Sequence, residues 1–133
     1  MTRFVVDSGV VIHLASNGLA VPDKHELLAP TLLRSQTLSV VHDAVHKGEL
    51  PEDEARDLLE RIWEIKIRLL GDAVLRRNAW RFAEQLGWAE TYDAEYVALT
   101  KLQGDAFVTL DEDLARQVEA VVPTAPIDAL EAS

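Results

Sequence analysis

The chain has no cysteine. Disulfides, thiolate metal sites and a cysteine nucleophile are therefore excluded, and the absence fits a reducing compartment. No apolar run approaches the roughly 18–20 residues that span a bilayer. The N-terminal run Phe4-Val5-Val6 meets Asp7 after three apolar residues. It lacks the longer apolar core of a signal peptide, so the expected location is the cytoplasm. The Gly-x-x-x-x-Gly-Lys-Ser/Thr and Gly-x-Gly-x-x-Gly patterns are missing, which leaves nucleotide triphosphatase and dinucleotide chemistry unsupported. Repeats, low-complexity blocks and linkers are missing too. The 133 residues fit one domain, with a core over about residues 3–122 and a short C-terminal tail.

What is present is near the globular average: 48% hydrophobic and 27% charged residues, which excludes bulk disorder. The net charge is −10, from 13 basic and 23 acidic residues. Its distribution is uneven. After residue 81 only Lys101 and Arg116 are basic, against 11 acids. Arg56, Arg61, Lys66, Arg68, Arg76, Arg77 and Arg81 crowd the middle of the chain. That cluster reads either as a solvated helical face or as a phosphate-binding footprint beside an acidic, cation-binding pole.

Short apolar runs alternate with longer helical patterns. Phe4-Val5-Val6 and Ala106-Phe107-Val108 read as buried strands. Leu27-Leu28-Ala29 is a short extended piece, and residues 65–70 are ambiguous between strand and loop. Helices are predicted over about residues 10–16, 31–47, 51–64, 73–86, 92–102 and 112–120. Pro30, Pro51, Thr91 and Asp111 mark starts, and Gly48, Gly87 and Gly104 mark stops. Leu58, Leu59, Ile62 and Trp63 form one predicted inward stripe; Val74, Leu75, Trp80, Phe82 and Ala83 form another. Residues 121–122 are too short to classify, and Pro126 onward reads as tail. The alternation predicts an α/β fold with a mostly parallel central sheet.

Three aspartates hold similar local positions. Asp7 follows a strand and precedes a helix, Asp111 follows a strand by three residues, and Asp93 lies in a first helical turn. Taken singly, each reads as a helix cap or dipole partner. Taken together they read differently. In an open parallel sheet, strand C-termini and the following helix N-termini share one edge, where ligands bind. Three carboxylates meeting there repel one another unless a cation lies between them. All-oxygen ligation without cysteine suits Mg2+ or Mn2+ rather than zinc. Such an ion can activate water for phosphodiester cleavage. Asp113, two residues beyond Asp111, is an auxiliary metal candidate and equally a first-turn acid favoured by the helix dipole.

Two motifs carry a family resemblance. Thr91-Tyr92-Asp93-Ala94-Glu95-Tyr96-Val97-Ala98-Leu99 is one, and Phe107-Val108-Thr109-Leu110-Asp111-Glu112-Asp113-Leu114 is the other. With the strand-Asp start at Asp7, the Ala29-Pro30-Thr31-Leu32-Leu33 segment and the 18-residue step from Asp93 to Asp111, the chain resembles the PIN-domain ribonucleases, especially VapC-type toxins of toxin–antitoxin pairs. The resemblance covers residues 3 to about 122. It implies a PIN-like three-layer α/β/α sandwich around a mostly parallel sheet, Mg2+-dependent endoribonuclease activity on RNA, a homodimer and a cognate antitoxin protein. It places Asp7, Asp93 and Asp111 in three of the family's four acidic positions. The fourth, a Glu in the family, is Gln36 here, and the family's frequent Asn three residues later is Ser39. A Gln carbonyl can coordinate a cation or orient a water, but the side chain carries no charge and cannot serve as a base. Asp43 lies seven residues on, about 10 Å along a helix, too far to replace the missing carboxylate.

The first functional reading is thus a metal-dependent ribonuclease toxin, with Asp7, Asp93, Asp111 and Gln36 as its catalytic set. The alternative is a PIN-like binding module that has lost catalysis, favoured by Gln36. A phosphoacceptor receiver domain lacks the lysine it would need after residue 101. His42 and His46 stand at i and i+4 without a third ligand, so an exposed helix face is the favoured reading. Thr109 reads either as a partner of a site carboxylate or as a turn hydroxyl. Trp63, Trp80 and Trp88 read as core or interface anchors, or as base-stacking platforms. Ser8 has no triad partners.

Overall fold

The apolar run at the N-terminus forms β1 (Thr2–Val6), whose last three residues are buried. Burial without alternation is what the centre of a parallel sheet demands. A computed structural model describes residues 1–131; the final two residues of the expected tail lie outside the described residues. From β1 the chain continues through α1 (Ser8–Ser16), β2 (His25–Pro30), α2 (Leu32–His46), α3 (Glu52–Glu64), β3 (Ile67–Leu70), α4 (Ala73–Leu86), α5 (Tyr92–Gln103), β4 (Ala106–Val108), α6 (Glu112–Val118) and β5 (Thr124–Ala125). A 3-10 turn over Ile127–Leu130 follows.

The five strands stand in the order β3-β2-β1-β4-β5, and every neighbouring pair is parallel. Parallel neighbours require crossovers, and helices supply them. α1, α2 and α3 pack on one another, while α4 packs against α5, which lies on β1, β2 and β4. This is the predicted three-layer α/β/α sandwich. Among the described residues no helix is long and apolar enough to cross a membrane.

Strand order reverses between β1 and β4. The chain moves outward from β1 to β3, then returns to lay β4 on the other side of β1. The two strands end in register, with Val6 opposite Val108. The segments that follow, starting at Asp7 and at Thr109, therefore emerge side by side, and at such a reversal they leave a crevice.

Several local expectations change. The ambiguous stretch at residues 65–70 contains β3, and the short piece at residues 27–29 is the centre of the longer β2. Thr91 makes no side-chain capping bond. Residues 123–131 are no loose tail: β5 pairs with β4, and Leu130 is fully buried. Val74 and Trp80 do not face inward, and Trp80 is 63% exposed. The buried stripe of α4 is Leu75, Ala79 and Ala83, spaced four apart, whose small alanines let the helix close on α5. Trp63 is also half-exposed, so of the three tryptophans only Trp88 packs against the core.

Gly104 turns the chain from α5 into β4 where backbone and strand press together. A Cβ there would stand 2.8 Å from Val5 Cγ2 and 3.2 Å from the Thr100 backbone. Gly104→Ala is expected to cost about 1–3 kcal/mol, because the backbone side of this contact cannot yield. Urea unfolding of the two proteins measures it.

Candidate active site

Asp7 occupies the first position beyond β1. Its Oδ1 accepts the Val10 N–H at 3.1 Å and so caps α1. The cap explains why the chain turns from strand to helix here, and it fixes the carboxyl rotamer. The other oxygen, Oδ2, accepts the Thr109 hydroxyl at 2.5 Å, a bond that bridges the crevice between β1 and β4. Thr109 Oγ1 in turn accepts the backbone N–H of Asp111 at 3.2 Å. Asp111 repeats the capping pattern, with Oδ1 accepting the Leu114 N–H at 3.1 Å at the start of α6. Both readings open for Thr109 hold: its hydroxyl donates to a site carboxylate and accepts from the turn that follows.

Asp93 enters from the first turn of α5. Its charge and that of Asp111 both act on Asp7, and Asp111 acts on Asp93. The three side chains thus share one electrostatic neighbourhood at the predicted edge of the sheet. Burial is the main force raising the Asp7 pKa above the usual carboxylate range; the Thr109 and Val10 hydrogen bonds oppose it, and Asp93 and Asp111 add to it. Burial also leads for Asp93, reinforced by Asp111 and Glu90. Capping and clustering are therefore two roles of the same residues.

Gln36 lies half-buried on α2, and its Oε1 accepts the Tyr96 hydroxyl at 2.7 Å across 60 residues of sequence. Tyr96 is 1% exposed and packs near Phe107. Burial drives the phenol pKa up, and the Asp7, Asp93 and Glu95 charges push it further, so the hydroxyl stays a donor. Gln36 thereby borders the carboxylates through Tyr96. Sequence reasoning placed Tyr96 within a motif without assigning it a task.

Asp113 behaves differently. It forms an ion pair with Arg116 one turn along α6 and is solvent-exposed. It is absent from the charges that shift Asp7 and Asp93. Its position matches the first-turn acid reading.

The chain is 32% identical over 105 residues to Ribonuclease VapC3 of Pyrobaculum aerophilum, a match covering 77% of this chain and 79% of that protein. The chain belongs to the VapC ribonuclease family. The family expected from the Thr91–Leu99 and Phe107–Leu114 motifs is the right one, and it is a family of nucleases, hydrolases in reaction class. No family model matches the chain. Among solved structures, PAE2754 from Pyrobaculum aerophilum superposes with a TM-score of 0.74 at 21% identity, covering 97% of this chain and 92% of that one. VapBC2 from Rickettsia felis, solved bound to a DNA fragment from their promoter, gives a TM-score of 0.64 at 8% identity, covering 94% and 98%. These likenesses establish the PIN-type VapC fold.

In this VapC-family chain the middle cluster of basic residues divides. Arg56 pairs with Glu52, Arg68 pairs with Glu26, and Arg61 donates to the Ala15 carbonyl. Lys66 remains exposed before β3, and Arg76, Arg77 and Arg81 remain exposed along α4, where the Arg76 charge acts on Glu95. The carboxylates offer hard oxygen donors; burial first, and the neighbouring acids after it, raise the Asp7 and Asp93 pKa values, and a cation would offset the mutual repulsion. Among the described residues no three His, Cys, Asp or Glu side chains stand close enough together to hold a metal ion as they are placed here. Both Asp7 oxygens are engaged, by Val10 and Thr109. Hard oxygen donors suit Mg2+, which keeps several of its waters and needs few protein ligands.

Proposed function

We propose that this VapC-family chain is an endoribonuclease that hydrolyses RNA phosphodiester bonds with Mg2+ or Mn2+, acting as the toxin of a toxin–antitoxin pair. The observation that carries the proposal is the mutual action of Asp7, Asp93 and Asp111 at the reversal of strand order. These three residues would hold the dication, with Asp113 reaching it at most through water. The bound ion supplies charge neutralisation at the phosphate and an activated water. The chain's own residues supply the rest. Thr109 and the Val10 N–H hold the Asp7 carboxyl in place, the Asp111 cap holds the second acid, and Tyr96 holds Gln36. Exposed Lys66, Arg76, Arg77 and Arg81 are cationic groups of the middle cluster available to meet the RNA backbone, contacts that give affinity rather than sequence choice. The proposed setting is the cytoplasm, with the chain as a homodimer held by a cognate antitoxin, all on one domain spanning residues 1–133.

The test is cleavage of a labelled RNA with and without excess EDTA. Cleavage that needs Mg2+ or Mn2+ supports the proposal, and cleavage that persists in EDTA refutes the metal-dependent mechanism.

One observation favours a second reading, a PIN-like binding module without catalysis: Gln36 brings no charge, and its carbonyl is already engaged by Tyr96. Gln36→Glu separates the readings. The binding module is right if the native chain neither binds Mn2+ nor cuts RNA while the Glu variant does both.

A further inference from the structure

The amide of Gln36 has two ends of opposite character. Its oxygen accepts and its nitrogen donates two N–H groups. The oxygen is held by Tyr96, whose residue is buried and whose hydroxyl stays protonated and donates to it at 2.7 Å. No hydrogen bond from Gln36 Nε2 is made among the described residues, and the side chain is only half-buried. The group presented beside the carboxylates is therefore a donor. A donor is the wrong partner for a cation and the right one for an anion.

We propose that Gln36 binds a non-bridging oxygen of the RNA phosphodiester through Nε2, and that Tyr96 is the positioning residue that fixes the amide for it. This rests on the reading of the carboxylate cluster as a phosphodiesterase site. It divides labour there: three acids for the cation, one neutral amide for the substrate's negative charge. The amide adds no repulsion toward phosphate, as a fourth carboxylate at this point would.

The experiment compares native protein with Gln36→Ala, Gln36→Glu, Tyr96→Phe and the Gln36→Ala/Tyr96→Phe double variant. Mn2+ affinity is measured by calorimetry without RNA, and KM and kcat by cleavage of a labelled RNA in Mg2+. Tyr96→Phe keeps the ring and its packing near Phe107, and circular dichroism confirms each fold.

Gln36→Ala is expected to leave Mn2+ affinity within about twofold and to lower kcat/KM by about tenfold or more, the scale of one hydrogen bond to a charged group. Gln36→Glu is expected to tighten Mn2+ and raise KM. Tyr96→Phe is expected to lower kcat/KM about threefold, and the double variant to be no worse than Gln36→Ala, because Tyr96 acts only through the amide.

A tenfold loss of Mn2+ affinity in Gln36→Ala with unchanged KM would make Gln36 a cation ligand and overturn the proposal. Additive losses in the double variant would overturn the role given to Tyr96. Native protein that binds Mn2+ but cuts no RNA refutes the proposed activity and this inference with it. Native protein that cuts RNA while Gln36→Ala matches it in KM and kcat refutes the inference alone.

Discussion

Asp93→Asn is expected to abolish RNA cleavage, by at least about 10²-fold, while raising the melting temperature of the metal-free protein. The loss follows from removing one of three charges that would hold the dication, at a site whose chemistry depends on fixed electrostatics. The gain in stability follows from the same charge. Asp93 is held above the usual carboxylate range by burial first and by Asp111 and Glu90 next, so its ionised form works against folding at neutral pH. Asn keeps the shape and removes the repulsion. Asp93 is only partly covered and keeps a large share of its surface in solvent, which screens the effect to about a few tenths of a kcal/mol.

Asp7 extends this logic to pH. Its folded pKa lies above its unfolded value, chiefly through burial. A proton therefore binds the folded state more tightly, and the stability linked to it is fully present below the unfolded pKa, near 4. That stability is lost as pH rises through the raised folded value. Metal-free protein should melt at a higher temperature as pH falls from neutrality toward the ordinary carboxylate range. Asp7→Asn should flatten that rise, because Asn still caps α1 through its side-chain oxygen but no longer titrates. Thermal melts of the two proteins across this range measure the difference. Identical profiles would mean that Asp7 is not under the strain described.

Thr109→Val is expected to cost about 1–3 kcal/mol of stability and to lower cleavage by about 10–100-fold. Val fills the same volume but has no hydroxyl. Its loss leaves Asp7 Oδ2 without a donor and the Asp111 N–H without an acceptor, so one substitution loosens two of the three acids. The Asp7 carboxyl would rise further, since the Thr109 bond is the larger of the two hydrogen bonds that lower it. Thr109→Ser restores both bonds and should recover most of the loss. Urea unfolding and a cleavage assay on the three proteins decide the point; a Val variant as active and stable as the native chain would remove Thr109 from the site.

Much of the fold was legible because its central strands are apolar without alternation and end at capping acids. Phe4-Val5-Val6-Asp7 and Phe107-Val108-Thr109-Leu110-Asp111 announce both the strand and the turn into a helix. β3 was ambiguous because it lies at the sheet edge and is only half-buried, leaving little periodic contrast to read. The tail was misread because two residues suffice for β5, too short for any pattern, while Leu130 is buried by contacts the local sequence does not show. Trp80 was taken inward because a large aromatic favours burial. In α4, close approach to α5 favours Ala79 and Ala83 instead, and Trp80 lies outside, donating its indole N–H to Glu84.

The three acids were found through repeated strand-to-helix position, a local signal. The bonds from Thr109 to Asp7 and from Tyr96 to Gln36 join residues 102 and 60 positions apart. Nothing in local patterning marks which hydroxyl meets which acceptor at such distances. Asp113 shows the converse limit. Spacing alone brought it within reach of the same edge, whereas its nearest cation, Arg116, turns it into a surface ion pair.

The central claim is that Asp7, Asp93 and Asp111 form one cation-binding centre, and calorimetric titration with Mn2+ addresses it most directly. The native chain is expected to show a saturable binding isotherm that shrinks or disappears alike in Asp7→Asn, Asp93→Asn and Asp111→Asn. Binding that survives all three substitutions, or a native chain that takes up no Mn2+, would contradict the account.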